Sequence, residues 1–99
     1  MTEHWRFQFH IQGPDGVRLA VATDGETVIG RQGEGEWQLQ HEMVSRRHAL
    51  LECADDVCRI TDLRSANGTL VNGVRLEPDV PRELQPGDEV VIKPFKLTY

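Results

Sequence analysis

Turn signals break this chain roughly every ten residues, a spacing that suits short strands and leaves little room for helices. They fall at Gly13-Pro14-Asp15-Gly16, Thr23-Asp24-Gly25, the Gly-Glu-Gly-Glu run at 33–36, Ala54-Asp55-Asp56, Asn67-Gly68, Asn72-Gly73, Glu77-Pro78-Asp79 and Pro86-Gly87-Asp88. Between them lie runs rich in Val, Ile, Leu and aromatics. Trp5, Phe7, Phe9 and Ile11 alternate with Arg6, Gln8, His10 and Gln12, the period of a half-buried strand, and Val17, Leu19 and Val21 repeat it after the first turn. Further strands are expected at 27–30, 48–53, 57–63, 69–71, 74–76, 89–92 and 96–99. No segment of ten residues shows apolar spacing of three and four, and the run 83–85 is stopped by Pro86. The pattern predicts an all-β sandwich or barrel, with a tight type I′ reversal at Asn72-Gly73, since Asn and Gly tolerate the positive φ that turn requires.

The 99 residues suffice for one core and not two. Eleven Lys and Arg against 16 Asp and Glu leave a net charge of -5, which opposes general binding to a nucleic-acid backbone. Nine of the eleven basic residues are Arg, the side chain suited to bidentate recognition of an oxyanion. No apolar run approaches the roughly 20 residues that cross a bilayer. The N-terminal MTEHWRFQ lacks the basic flank and apolar stretch of a signal peptide, so a cytoplasmic location without membrane contact is expected. If 54–57 forms a four-residue hairpin loop, Cys53 and Cys58 face each other and a disulfide is geometrically possible; a pair of buried thiols in a reducing compartment is the expected state.

Ser45 and His48 invite a nucleophile-and-base reading. In a strand, however, residues three apart point to opposite faces, no G-x-S-x-G elbow is present, and no third group orients the imidazole. No catalytic residue is expected. His4, His10, His41 and His48 with the two cysteines show no C-x-x-C and no H-x-x-x-H, so neither a metal nor a cofactor is expected. A phosphoryl group needs guanidinium groups, a hydroxyl and amide donors held on turns. Arg31 after Gly30, Ser45 with Arg46, and Asn67-Gly68 after Arg64 supply all three kinds if their loops gather at one end.

The segments IGR (29–31), WQL (37–39), VSRRHALLE (44–52), ITDLRSANGTLVNG (60–73) and LQPGDEVVI (84–92) together resemble the forkhead-associated (FHA) domain, in the family's order and over nearly the whole chain. The resemblance implies an FHA/SMAD-like sandwich of about eleven short strands in two sheets, with recognition loops at one end. It implies one domain over 1–99, a fragment of a longer protein or a small adaptor. By the same likeness, Arg31 grips a phosphate, Ser45 donates its hydroxyl, Arg46 adds a contact, Ala66 offers its backbone, and Asn67 holds the bound peptide's main chain. Gly30, His48, Gly68, Thr69, Asn72 and Gly73 match scaffold positions. Arg47 and Arg64 are solvated charges or contribute to the local field.

The implied function is non-enzymatic recognition of phosphothreonine in a protein partner, a kinase or its substrate, in bacterial Ser/Thr-kinase signalling. Met43, two before Ser45, implies an apolar preference three places after the phosphothreonine. The alternative is an interaction or assembly module on the same fold that needs no phosphate. Two positions depart from the family: Glu36-Trp37 replaces a common Asp-Ile, which bears on the loop after Arg31, and Lys93-Pro94 replaces a Gly-containing turn expected far from the recognition loops.

Overall fold

The alternation at the start of the chain builds the first strand of a sandwich, seen in a computed structural model that describes residues 7–99. Phe7, Phe9 and Ile11 are buried while Gln8, His10 and Gln12 face solvent. His4, Trp5 and Arg6 lie outside the described residues. The strands are β1 (Phe7–Gly13), β2 (Gly16–Ala22), β3 (Gly25–Ile29), β4 (Ala49–Ala54), β5 (Val57–Asp62), β6 (Leu70–Val71), β7 (Val74–Arg75), β8 (Arg82–Leu84), β9 (Glu89–Ile92) and β10 (Phe95–Thr98), with one 3-10 turn at Gly35–Trp37. They form a six-stranded sheet, β2-β1-β10-β9-β6-β7, and a four-stranded sheet, β3-β4-β5-β8. The strands pair antiparallel throughout both sheets. The architecture is thus the two-sheet all-β sandwich, with ten strands among the described residues.

The core lies between the sheets. Phe9 stacks on Tyr99 at 4.7 Å and meets Trp37 edge-on at 5.4 Å, within the favourable range for aromatic pairs. Ile11, Ile29, Leu39, Leu51, Ile60, Ile92 and Leu97 fill the remainder, almost fully buried. Trp37 resolves the first departure. Its ring enters the core, and its indole N–H donates to the Val21 carbonyl at 3.2 Å. Arg18 adds two bonds, to the Glu36 carbonyl at 3.0 Å and the Gln38 carbonyl at 2.8 Å. The loop after Arg31 is therefore strapped to β2, where it also covers part of an otherwise open sheet edge.

Three local readings need correction. Cys53 and Cys58 pair directly across the β4–β5 hairpin and are disulfide-bonded, not free thiols. The hairpin has a two-residue turn, because Ala54 still pairs with Val57 and both Asp55 and Asp56 take positive φ, 51° and 66°. Second, the stretch at 83–85 read as an aborted helix is largely β8, which hydrogen-bonds to the edge of β5. Third, Leu70 pairs with Val91 in antiparallel register, so the Lys93-Pro94 turn sits at the same end of the sheet as Gly68 and Thr69. It is not remote from the loops that follow β3 and β5.

Candidate anion-binding site

Three connections meet at this end: the loop leaving β3, the segment entering β4, and the loop between β5 and β6. Gly30 makes the approach of the first two possible. A Cβ there would collide with the Arg46 carbonyl and would lie 2.7 Å from the Ser45 carbonyl and 2.9 Å from the His48 amide, closer than side-chain carbons come. The chains are then tied by Arg31 N–H to Ser45 O at 3.1 Å and Gln32 N–H to Arg46 O at 3.0 Å.

Arg31 is half-buried and its Nε donates to the Val44 carbonyl at 2.6 Å. That bond fixes the guanidinium plane and leaves the two terminal amino groups without a partner among the described residues. Ser45 is held on three sides. Its amide donates to His48 Nδ1 at 3.1 Å, its carbonyl accepts from Arg31, and its hydroxyl oxygen accepts from the Ala66 amide at 3.0 Å. A hydroxyl whose oxygen is already accepting is oriented with its hydrogen free to donate elsewhere. Asn67 is exposed, and its amide nitrogen donates to the Met43 carbonyl at 2.8 Å, joining the second loop to the third. Arg46 and Arg47 are both exposed beside Ser45.

His48 lies behind this surface, buried. Nδ1 accepts from an N–H, so the proton resides on Nε2, which donates to the Gly68 carbonyl at 2.9 Å. Burial lowers its pKa below the usual histidine value, opposed by the Gly68 hydrogen bond and by nearby Asp62, so the neutral ring is the structural form. Both ring nitrogens are engaged with backbone, and the Ser45 hydroxyl is engaged with Ala66. The two side chains are therefore not arranged as nucleophile and base.

The third loop is organised by a residue the sequence did not mark. Asp62 is buried, and its carboxylate accepts from Ser65 Oγ at 2.6 Å, the Ser65 amide at 3.1 Å and Thr69 Oγ1 at 2.7 Å. Ser65 Oγ in turn accepts from the Gly68 amide at 2.9 Å. Asp followed three residues later by Ser is the visible trace of this local side-chain-to-backbone cluster. It sets the shape of the turn that presents Ala66 and Asn67, with Gly68 at φ 85°. Thr69 belongs to the same cluster.

Arg64 is drawn away from the field assigned to it: its guanidinium forms an ion pair with Asp79, fifteen positions on. Arg47 instead reaches the rim of a groove of about 520 Å³ on the flank, between the β2 and β3 edges, together with Gln32, Glu34 and Trp37. Arg31, Ser45 and Asn67 do not line that groove. Asn72 and Gly73 lie at the opposite end, with φ of 50° and 83°, the type I′ turn.

A β-sandwich that gathers a guanidinium, a fixed serine hydroxyl and an asparagine amide on loops at one end defines a class of recognition module. Residues 27–93 match the FHA domain family, and the chain belongs to it. It is 34% identical over 88 residues to an oxoglutarate dehydrogenase inhibitor of Corynebacterium efficiens, covering 89% of this chain and 60% of that protein. To the glycogen accumulation regulator GarA of Mycobacterium tuberculosis it is 33% identical, covering 89% of this chain and 52% of the relative. The chain thus spans just over half the length of these curated relatives. A solved FHA domain described by its phosphothreonine-dependent interactions superposes with a TM-score of 0.77 at 28% identity, covering 93% of this chain and 94% of the other. The family is a protein-interaction module rather than an enzyme, and the relatives are named as regulators or inhibitors. No helix among the described residues is long and apolar enough to cross a membrane.

Proposed function

We propose that this domain binds protein segments carrying phosphothreonine, as one module of a longer protein or a small adaptor in cytoplasmic Ser/Thr-kinase signalling of bacterial type. The observation that carries this reading is the pairing of Arg31 and Ser45. Each is anchored by a hydrogen bond to another loop, Arg31 through Val44 and Ser45 through Ala66, so each presents its remaining donors without further ordering. Prior ordering reduces the entropy lost on binding. Arg46 adds a second cation, and Asn67 holds the ligand's main chain through its free carbonyl oxygen.

The apolar side chain of Met43, 40% exposed and joined to Asn67 through its carbonyl, supports a preference for an apolar residue three positions after the phosphothreonine. The names of the relatives support a role in regulating a metabolic enzyme. Three or four charge-assisted bonds of about 1.5 to 3 kcal/mol each total roughly 5 to 12 kcal/mol before the ordering of the peptide is subtracted, so reversible binding no tighter than micromolar is expected. Calorimetric titration with a phosphothreonine peptide tests the site directly. Arg31→Ala is expected to weaken binding at least tenfold while the unfolding temperature stays nearly constant. A large loss of stability with affinity retained would assign Arg31 to the scaffold instead.

A further inference from the structure

One arginine at the loop end is neither paired nor part of the site described above. Arg75 lies on β7, opposite Leu70 on β6, and is exposed. Its guanidinium folds back over Gly68. A Cβ built on Gly68 would lie 2.8 Å from Arg75 Cζ, 2.9 Å from Nε and 3.0 Å from Nη2, three nearly equal distances that place the guanidinium plane face-on to the glycine. Gly68 alone leaves that space, and its backbone is fixed on both sides, by Ser65 Oγ at its amide and His48 Nε2 at its carbonyl. Among the described residues the Arg75 guanidinium has no carboxylate or carbonyl partner, in contrast to Arg64.

Asn67 stands between the two cationic regions. Ala66, on one side, contacts the Ser45 hydroxyl; Gly68, on the other, carries Arg75. Two chain steps separate Ala66 from Gly68, at most about 7 Å. An extended ligand advances about 3.3 Å per residue. We infer that Arg75 is a specificity-determining residue that recognises an anionic side chain two positions from the phosphothreonine or three before it, a carboxylate or a second phosphate. This inference rests on the phosphothreonine reading above. The planar, weakly hydrated guanidinium, held flat on the backbone, offers its edge to such a group in bidentate fashion.

The test is a series of phosphothreonine peptides, otherwise neutral, in which one Glu is walked from three positions before to three positions after the phosphothreonine, with a phosphoserine series alongside. At one of the positions two removed or three before, the acidic residue is expected to tighten binding about three- to tenfold, more for phosphoserine if the second anion is a phosphate. Arg75→Gln, which keeps a planar amide over Gly68, is expected to abolish that gain while holding affinity for the neutral phosphothreonine peptide within twofold and the unfolding temperature unchanged. Absence of a gain at those positions, a gain that survives Arg75→Gln, or equal weakening of the neutral peptide by the substitution would each overturn the assignment. If the neutral phosphothreonine peptide itself fails to bind, the underlying functional reading fails; if it binds without an acidic preference, only the Arg75 inference does.

Discussion

Asn67-Gly68 and Asn72-Gly73 are the same dipeptide five residues apart, yet they end in opposite roles. At Asn72 every side-chain group is used within the chain: the amide nitrogen donates to Asp88 at 3.0 Å, and the amide oxygen accepts from the Glu89 N–H at 2.9 Å. Asn67 uses one group only, donating to the Met43 carbonyl, and its side-chain oxygen has no partner among the described residues. The first pattern closes a hairpin against a neighbouring turn. The second joins two loops and leaves an acceptor outward. The difference between fold and site here is how much of the hydrogen-bonding capacity remains unspent.

That contrast gives the largest predicted effect. Asn72→Ala removes two side-chain bonds and the residue that tolerates φ 50°, and is expected to cost about 2 to 3 kcal/mol in urea unfolding, with peptide affinity within twofold. Asn67→Ala is expected to do the reverse, lowering phosphopeptide affinity about tenfold while changing stability by under about 0.5 kcal/mol, as for most exposed positions. If both substitutions destabilise equally and neither alters affinity, the division between the two ends is wrong.

The smaller effect concerns pH. His48 at the loop end has a folded pKa depressed by burial, so the unfolded chain takes up the proton first as pH falls past about 6.5. Its contribution to stability is complete above that pH and declines below it. Protonation also removes the acceptor of the Ser45 amide, so the loop end should loosen first. At the other end Asp88 is held below the usual carboxylate value by the Gln85 amide and by Asn72, and its contribution is lost only below about pH 4. Hydrogen exchange at pH 7.5 and 5.5 is expected to show protection falling around Ser45 and Gly68 and not around Asn72. Uniform loss along the chain would contradict the separate windows.

Much of the fold was legible because local signals were strong and consistent. The alternation from Phe7 to Ile11 and the positive-φ turn at Asn72-Gly73 needed no tertiary information. The strand β8 was hidden by its three-residue length between Pro81 and Pro86, and it exists through its pairing with β5. The candidate site was legible in residue types and order, since Gly30-Arg31, Ser45-Arg46 and Asn67 carry the family resemblance. What joins them was not. The buried Asp62 cluster, the Arg18 and Trp37 strap, the capture of Arg64 by Asp79 and the position of Arg75 over Gly68 all depend on segments distant in sequence or on exact turn shape.

Amide chemical-shift mapping during titration with one peptide, in its phosphothreonine and unphosphorylated forms, tests the central claim most directly. The phosphorylated form is expected to shift amides at 30–32, 45–46 and 66–68, leaving 72–73 and 85–88 in place, while the unphosphorylated form shifts none at the same concentration. Equal shifts from both forms, or shifts centred on the Asn72 end, would contradict it.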